Sequence, residues 1–310
     1  VLDRNINLDN ASDIYNRSEF TSVSVDVNNG VTISGTESGE IGIAQKNYAG
    51  TSGVNEIKLN NMGTISQTGA NGIGIAADFG HVINTNKIQV TGNNSIGIVS
   101  ANGTQTENNG EILIGGTDTA GIYGVNYLDG TTSASTLGYG NDGINITNNN
   151  KITITGSDKV YGIYADNTAG ATSSVTLGSG SNVDLRTSNG AVGIYANKTN
   201  VTGGGTVTVG ANSVALASEN GNIINNSILT STGEGSTYIY SKNGNGETNA
   251  ALTLTDKSVG MYGQSGVMTN NNIITVGKSD VAAKEFSVGM ATESGKIVNS
   301  AGAQIIVGKE

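Results

Sequence analysis

Apolar and polar residues alternate along this chain in short β-branched runs of four or five, separated by Gly, Asn, Asp and Ser. That is the period-2 pattern of strands with one buried face, and no stretch carries helical spacing. The runs are themselves repeated. A phrase of the form Val-Gly-Ile-Tyr-Ala recurs as Ile73-Gly74-Ile75-Ala76, Tyr161-Gly162-Ile163-Tyr164, Val192-Gly193-Ile194-Tyr195 and seven further variants, down to Val288-Gly289-Met290-Ala291. The shortest spacing between copies is 22 to 24 residues, with longer units where residues have been inserted. Each phrase is followed by a second run, such as His81-Val82-Ile83-Asn84, and a third, such as Lys151-Ile152-Thr153-Ile154.

Three strands and three turns use up such a unit. The expected fold is therefore all-β, a right-handed three-faced parallel β-helix of about ten coils with corner insertions. Leucine-rich repeats share the period but need a Leu-rich consensus, and propeller blades need a period near 40. With coils about 4.8 Å apart, ten of them make a rod of about 48 Å. Alternation within Val192-Gly193-Ile194-Tyr195-Ala196 predicts Val, Ile and Ala inward and Gly and Tyr outward. The turn asparagines Asn84, Asn149, Asn225, Asn271 and Asn299 are expected to adopt left-handed backbone and to ladder between coils. Residues 1–30 read as entry or partial coils, with 5–19 matching no repeat phrase and pointing to a preceding module; residues 31–310 read as one solenoid continuing past the fragment.

Composition sharpens this picture. The 310 residues include no Pro and only 13% charged residues, as expected where nearly every strand is central in its sheet. There is no Cys, which has two readings: an intracellular chain can simply lack it, while a long secreted β-protein without one avoids disulfides before crossing a membrane, the reading the rest of the composition favours. A net charge of -10 with three arginines (Arg4, Arg17, Arg186) argues against nucleic acid and anionic membranes as partners.

Most inserted residues enter between the first and second strands of a unit, at 46–52, 125–142 and 166–173, and insertions on one face of a solenoid are often where it binds. Tyr127, Asp129, Tyr139, Asn141, Asp142 and Asp166 are the candidate ligand contacts there. A second candidate is the row Tyr123, Tyr164 and Tyr195, continued by Tyr240 and Tyr262; it reads either as a shelf for a sugar ring or as a stabilising ladder. A last insertion, 279–286, sits at a different corner. Residues 138–143 fit G-x-G-x-x-G without the surrounding βαβ unit, and only one partial copy of a calcium nonapeptide. The single histidine, His81, reads as a surface or turn residue. Asp118 and Asp158 precede the phrase in successive units and are the one carboxylate pair that neighbouring coils would bring together. Neither a metal, a cofactor nor an enzymatic activity is expected.

Units such as residues 148–165, Asn-x-Asn-x-Ile-x-Ile-x-Gly followed by the phrase, resemble the passenger repeats of the large fusobacterial type V autotransporter adhesins. The resemblance implies a passenger exported through a C-terminal outer-membrane barrel that this sequence lacks, held at the bacterial cell surface. It also implies attachment to a host cell-surface protein receptor, a galactose-type glycan or other bacteria. A structural stalk and a polysaccharide-degrading β-helix enzyme are the rival readings.

Overall fold

In the computed structural model the described residues are 1–10, 24–46, 58–78, 80–126, 143–167 and 172–308. Among them there are strands and no helix, and every pair of named strands is parallel. Ten strands, from Ile41–Lys46 to Val288–Thr292, form the first face; eleven, from Val25–Val27 to Lys296–Asn299, form the second. The third face is divided into a nine-stranded and a three-stranded sheet. Each strand pairs with its equivalents one coil before and after, which makes the chain a three-faced parallel β-helix. Like stacks on like: Ile75, Ile98, Ile122, Ile163, Ile194, Leu216, Ile239 and Met261 are in direct register and fully buried. No coil could bury this column alone, so stability is a sum of coil-to-coil interfaces.

The recurrent phrase departs from simple alternation. Gly193 and Ile194 both face the interior, Tyr195 faces out, Ala196 is buried, and Val192 lies half-exposed on the outer surface. A Cβ on Gly193 would lie 2.5 Å from the carbonyl oxygen of Ala215 and 2.7 Å from Cγ1 of Val207; one on Gly74 would lie 2.5 Å from both the Gly97 oxygen and Cγ2 of Ile88. The glycine column thus marks where first-face backbone is pressed against third-face aliphatic groups, an approach that favours a residue without a side chain; Ala215 and Tyr238 are the departures from it. The expectation of outward Gly and inward Val is reversed, because the backbone bends at the glycine and shifts the period by one residue. Ladder pairing records the bend: Ile96 pairs with Ile73 and Ile98 with Ile75, with no pair at Gly97.

Tyr238 stands in that glycine column. It is 1% exposed and heads the largest fully buried side chains. The third face is interrupted here, between Ile228–Ser231 and Leu252–Thr253, while the other two faces continue. The phenol spans the seam. Its hydroxyl donates to the Thr253 carbonyl at 2.9 Å and accepts the Thr255 N–H at 3.2 Å. One side chain replaces part of a backbone ladder.

The last residue of the second-face strands carries a buried amide column. Asn61 donates to Asn84 (2.8 Å), Asn84 to Asn108 (2.8 Å) and Asn108 to Asn148 (2.7 Å), all with no exposed surface. The column breaks at Leu177 and Gly203 and resumes with Asn225 on Thr248 and Asn270 on Asn299. Several of these amides also close their own turn, as Asn148 does on the Asn150 carbonyl at 2.8 Å. Ladders are therefore present, and an outer one joins Asn149 to Asn109 and Asn271 to Asn249. The left-handed residues are different ones: Asn71, Asn94 and Asn212 at the corner leading into the first face, and Asn102 and Asn220 at its end. The strand-terminal asparagines remain extended because their side chains, not their backbones, make the turn.

At the N-terminus, Leu2 bridges to Val27 and Ile6–Asn7 pairs with Ile33 and Ser34. Residues 5–10 therefore stand in the stack rather than in a preceding module, and 11–19 lie outside the described residues.

Two outcomes are expected. Tyr238→Phe keeps the ring but removes the bridge, so amide exchange at Thr255 should accelerate and stability should fall by about 1–2 kcal/mol, measured by hydrogen exchange and denaturant unfolding. Asn108→Leu fits sterically, since Leu177 occupies the same column. It strands the Asn84 donor and the Asn148 acceptor, so a loss of about 2–4 kcal/mol is expected in the same unfolding assay.

Candidate functional site: a tyrosine and carboxylate ridge

Tyr123, Tyr164 and Tyr195 occupy equivalent positions on consecutive first-face strands, and the in-register pairing brings them into one stack. The Tyr123 and Tyr164 rings are 4.9 Å apart and 14° from parallel; Tyr164 and Tyr195 are 4.9 Å apart at 19°. The separation is the coil spacing itself. Their faces are occupied by one another, so ring edges and hydroxyls are what this row presents outward. Ala217 interrupts the column, and Tyr240 and Tyr262 resume it at 5.9 Å.

Tyr161 was not foreseen as part of this group. It stands against Tyr164 at 5.2 Å and 82°, and against Tyr195 at 6.3 Å and 70°. It occupies the Val position of the phrase, which simple alternation places inside; the bend at Gly162 turns it out beside its neighbours. An aromatic at a position filled by Val or Ile in most other copies was the available signal.

Carboxylates line the hydroxyl edge. Asp166 accepts a long bond from the Tyr164 hydroxyl (3.5 Å) and a shorter one from Asn197 (2.9 Å). Glu219, which Lys242 holds at 3.2 Å, lies near enough to Tyr195 to act on its hydroxyl. Burial, then Asp166, push the Tyr164 hydroxyl up to about 12. Burial acts first on Tyr123 and Tyr195 as well, with Asp166 and Glu219 respectively adding to it, and both are raised. Partial burial and acidic neighbours alike disfavour a phenolate.

Of the sequence candidates, Tyr123, Tyr164, Tyr195 and Asp166 are brought together. Tyr127, Asp129, Tyr139, Asn141 and Asp142 lie outside the described residues. The insertions there begin later than the repeat alignment suggests: Val125 and Asn126, like Asp166 and Asn167, are still in strands and pair with each other. Asp118 and Asp158 do sit on successive coils, where the Asp118 N–H bonds the Asp158 carbonyl (3.1 Å), and Lys159 lies 3.5 Å from the Asp118 carboxylate. His81 opens a strand and meets Glu107 at 3.2 Å. Among the described residues no cluster of His, Asp and Glu suits a metal ion, and no helix is long and apolar enough to cross a membrane.

The 279–286 insertion lies at the corner leading into the first face. It is closed by reciprocal backbone bonds between Asp280 and Glu285 (2.7 and 2.9 Å). Lys257 anchors it, 2.9 Å from Glu285 and 3.1 Å from Glu234. Those two carboxylates, Glu285 foremost, push its ammonium pKa upward. Beside it opens a shallow groove of about 260 Å³, with Phe286 at its rim.

No protein-family model matches the chain, and no curated protein or solved structure matches it either.

The raised hydroxyls carry a pH signature. A pKa higher in the fold than in the unfolded chain adds stability that is complete below the unfolded value, 10.0, and is lost as pH rises through the folded one, about 12 for Tyr164. Titration of phenolate absorbance should therefore show ladder tyrosines ionising late, with unfolding becoming easier between those two values. Tyr164→Phe should remove one late-titrating group.

Proposed function

We propose that this chain is a segment of an extracellular autotransporter passenger and acts as an adhesin: a rigid rod that holds binding segments against a host receptor, a glycan or a partner bacterium. One observation carries the reading. The strands that lead into the two neighbouring insertions, Ala120–Asn126 and Tyr161–Asn167, are hydrogen-bonded partners that also carry Tyr123, Tyr164 and Asp166. Two inserted segments thus leave adjacent coils at one corner, directly beside the tyrosine and carboxylate ridge. Binding elements held by a rigid scaffold are a common arrangement for recognition. The lack of Cys and the repeat style that resembles autotransporter passengers support export to the cell surface.

The structural-stalk reading draws support from the tyrosine faces, which are turned to one another. The discriminating experiment is binding of the folded segment to a glycan array and to epithelial cells, with galactose competitors and a variant lacking residues 127–142. The adhesin reading expects attachment that the deletion reduces at least about tenfold, the effect of losing a cluster of strong contacts. Attachment that the deletion leaves intact would remove the corner from the interaction, and no attachment at all would favour the stalk.

A further inference from the structure

The bend at the glycine column has an outward consequence. It places the residue before most of these glycines on the solvent side, where period-2 reading would have hidden it, and in most coils that residue is aliphatic; Ala120 alone stays buried. Ile73, Ile96, Val192, Val214, Val259 and Val288 are all half-exposed in one column. They share one ladder register, in which Ala120 and Tyr161 stand between Ile96 and Val192 and Thr237 stands between Val214 and Val259. Three residues along each strand runs the column of the tyrosines. The outer surface of the first face is thus a flat apolar and aromatic stripe two side chains wide, about 40 Å long at the coil spacing. These side chains are each partly exposed and in line, so a partner laid along them would bury apolar surface on several coils at once.

Charge selects the partner. On the margin after the stripe stand Asp78, Asp166, Glu219 and Glu293, with Lys46 in register with Asp78, Lys198 at the same corner and Lys242 paired to Glu219; on the opposite margin, at the entry corner, carboxylates including Asp118, Glu234 and Asp256 outnumber lysines. A second copy of this chain would set carboxylate margins against carboxylate margins, with -10 charges on each molecule. An acidic glycan or an anionic surface meets the same repulsion. We infer that the first face is a docking surface for a basic amphipathic polypeptide segment, whose apolar side covers the Ile/Val and Tyr columns while its Lys or Arg side chains reach the margins. The stripe is about as wide as a helix, 10–12 Å, and complementary margins would steer and orient such a segment. The inference deepens the adhesin reading by assigning a chemistry to the receptor.

The test uses a synthetic Leu/Lys amphipathic peptide of about 20 residues, some 30 Å as a helix. Its controls carry Glu in place of Lys, or Ser in place of Leu. Binding to the folded chain is followed by titration calorimetry across a salt series. The expected result is affinity at least about tenfold above both controls, falling as salt rises. Val192→Asn with Val214→Asn should lower it at least about fivefold at an unchanged unfolding midpoint, because truncating buried contacts at the centre of an interface costs most. Glu219→Gln with Asp166→Asn should flatten the salt dependence. Equal binding of the Ser control would overturn the stripe, leaving only general acidity. Binding that appears only after residues 127–142 are removed would assign the stripe to that segment of the chain instead. The two readings fail separately: cell attachment without peptide binding removes the stripe and leaves the adhesin standing.

Discussion

The close approach of first-face backbone to third-face side chains at the glycine column governs the rest of the molecule. With a carbonyl oxygen and an aliphatic methyl each about 2.5 Å from where a Cβ would sit, the corner admits almost no side chain. The backbone bends there, and the bend decides which residues of the phrase are core and which are surface. The Ile column is buried, the Tyr column is turned out, and the aliphatic residue before the glycine is moved from interior to exterior. Tyr238 shows the same constraint from the other side. Placed in this column, a ring enters the core, the third-face ladder opens, and the hydroxyl takes up backbone groups that the ladder would have paired.

Hydrophobic stacking alone leaves one freedom, because a slip by two residues would keep the same face buried. The buried amides remove that freedom. An Asn at the end of a second-face strand reaches the next coil's Asn and, in several coils, a carbonyl two residues along its own chain, so such a slip would orphan a donor and an acceptor inside the core. At Leu177 the column is interrupted, and Asn148 turns to Ser181 instead, at 2.6 Å. The polar column thus keeps its donors satisfied where its own repeat fails.

Much of this architecture was legible in the repeats. Strand positions, the three-face division and the inward Ile column follow from period and β-branching, since both depend on one coil seeing an equivalent coil. What escaped was local. A one-residue bend does not alter composition or period, so Val192 read as core and Tyr161 went unnoticed. Asn149 and Asn71 are chemically alike, and only the geometry of each corner decides which has a left-handed backbone. The ridge was half legible: the tyrosines announce themselves by recurrence, whereas the approach of Asp166 and Glu219 depends on how far each strand extends beyond the phrase.

A solenoid distributes its surface chemistry in lines, since any outward position recurs every coil. Function in such a molecule arises where a line is broken or where two lines run together. The tyrosine column is broken at Ala217, and at its upper end it meets the two adjacent corners whose units carry the extra residues. There the phenol hydroxyls, the Asp166 carboxylate and the aliphatic column lie within one short stretch of rod. On the other faces Thr, Asn and Ser bonded to their own neighbours, as Thr230 is to Thr208, alternate with scattered exposed aliphatics such as Ile224 and Ile228. Side chains that satisfy each other along the rod have little left to offer a partner. The first face is different because its apolar column has no polar group to satisfy and gains by being covered, and its acidic margins determine what charge the covering molecule should carry.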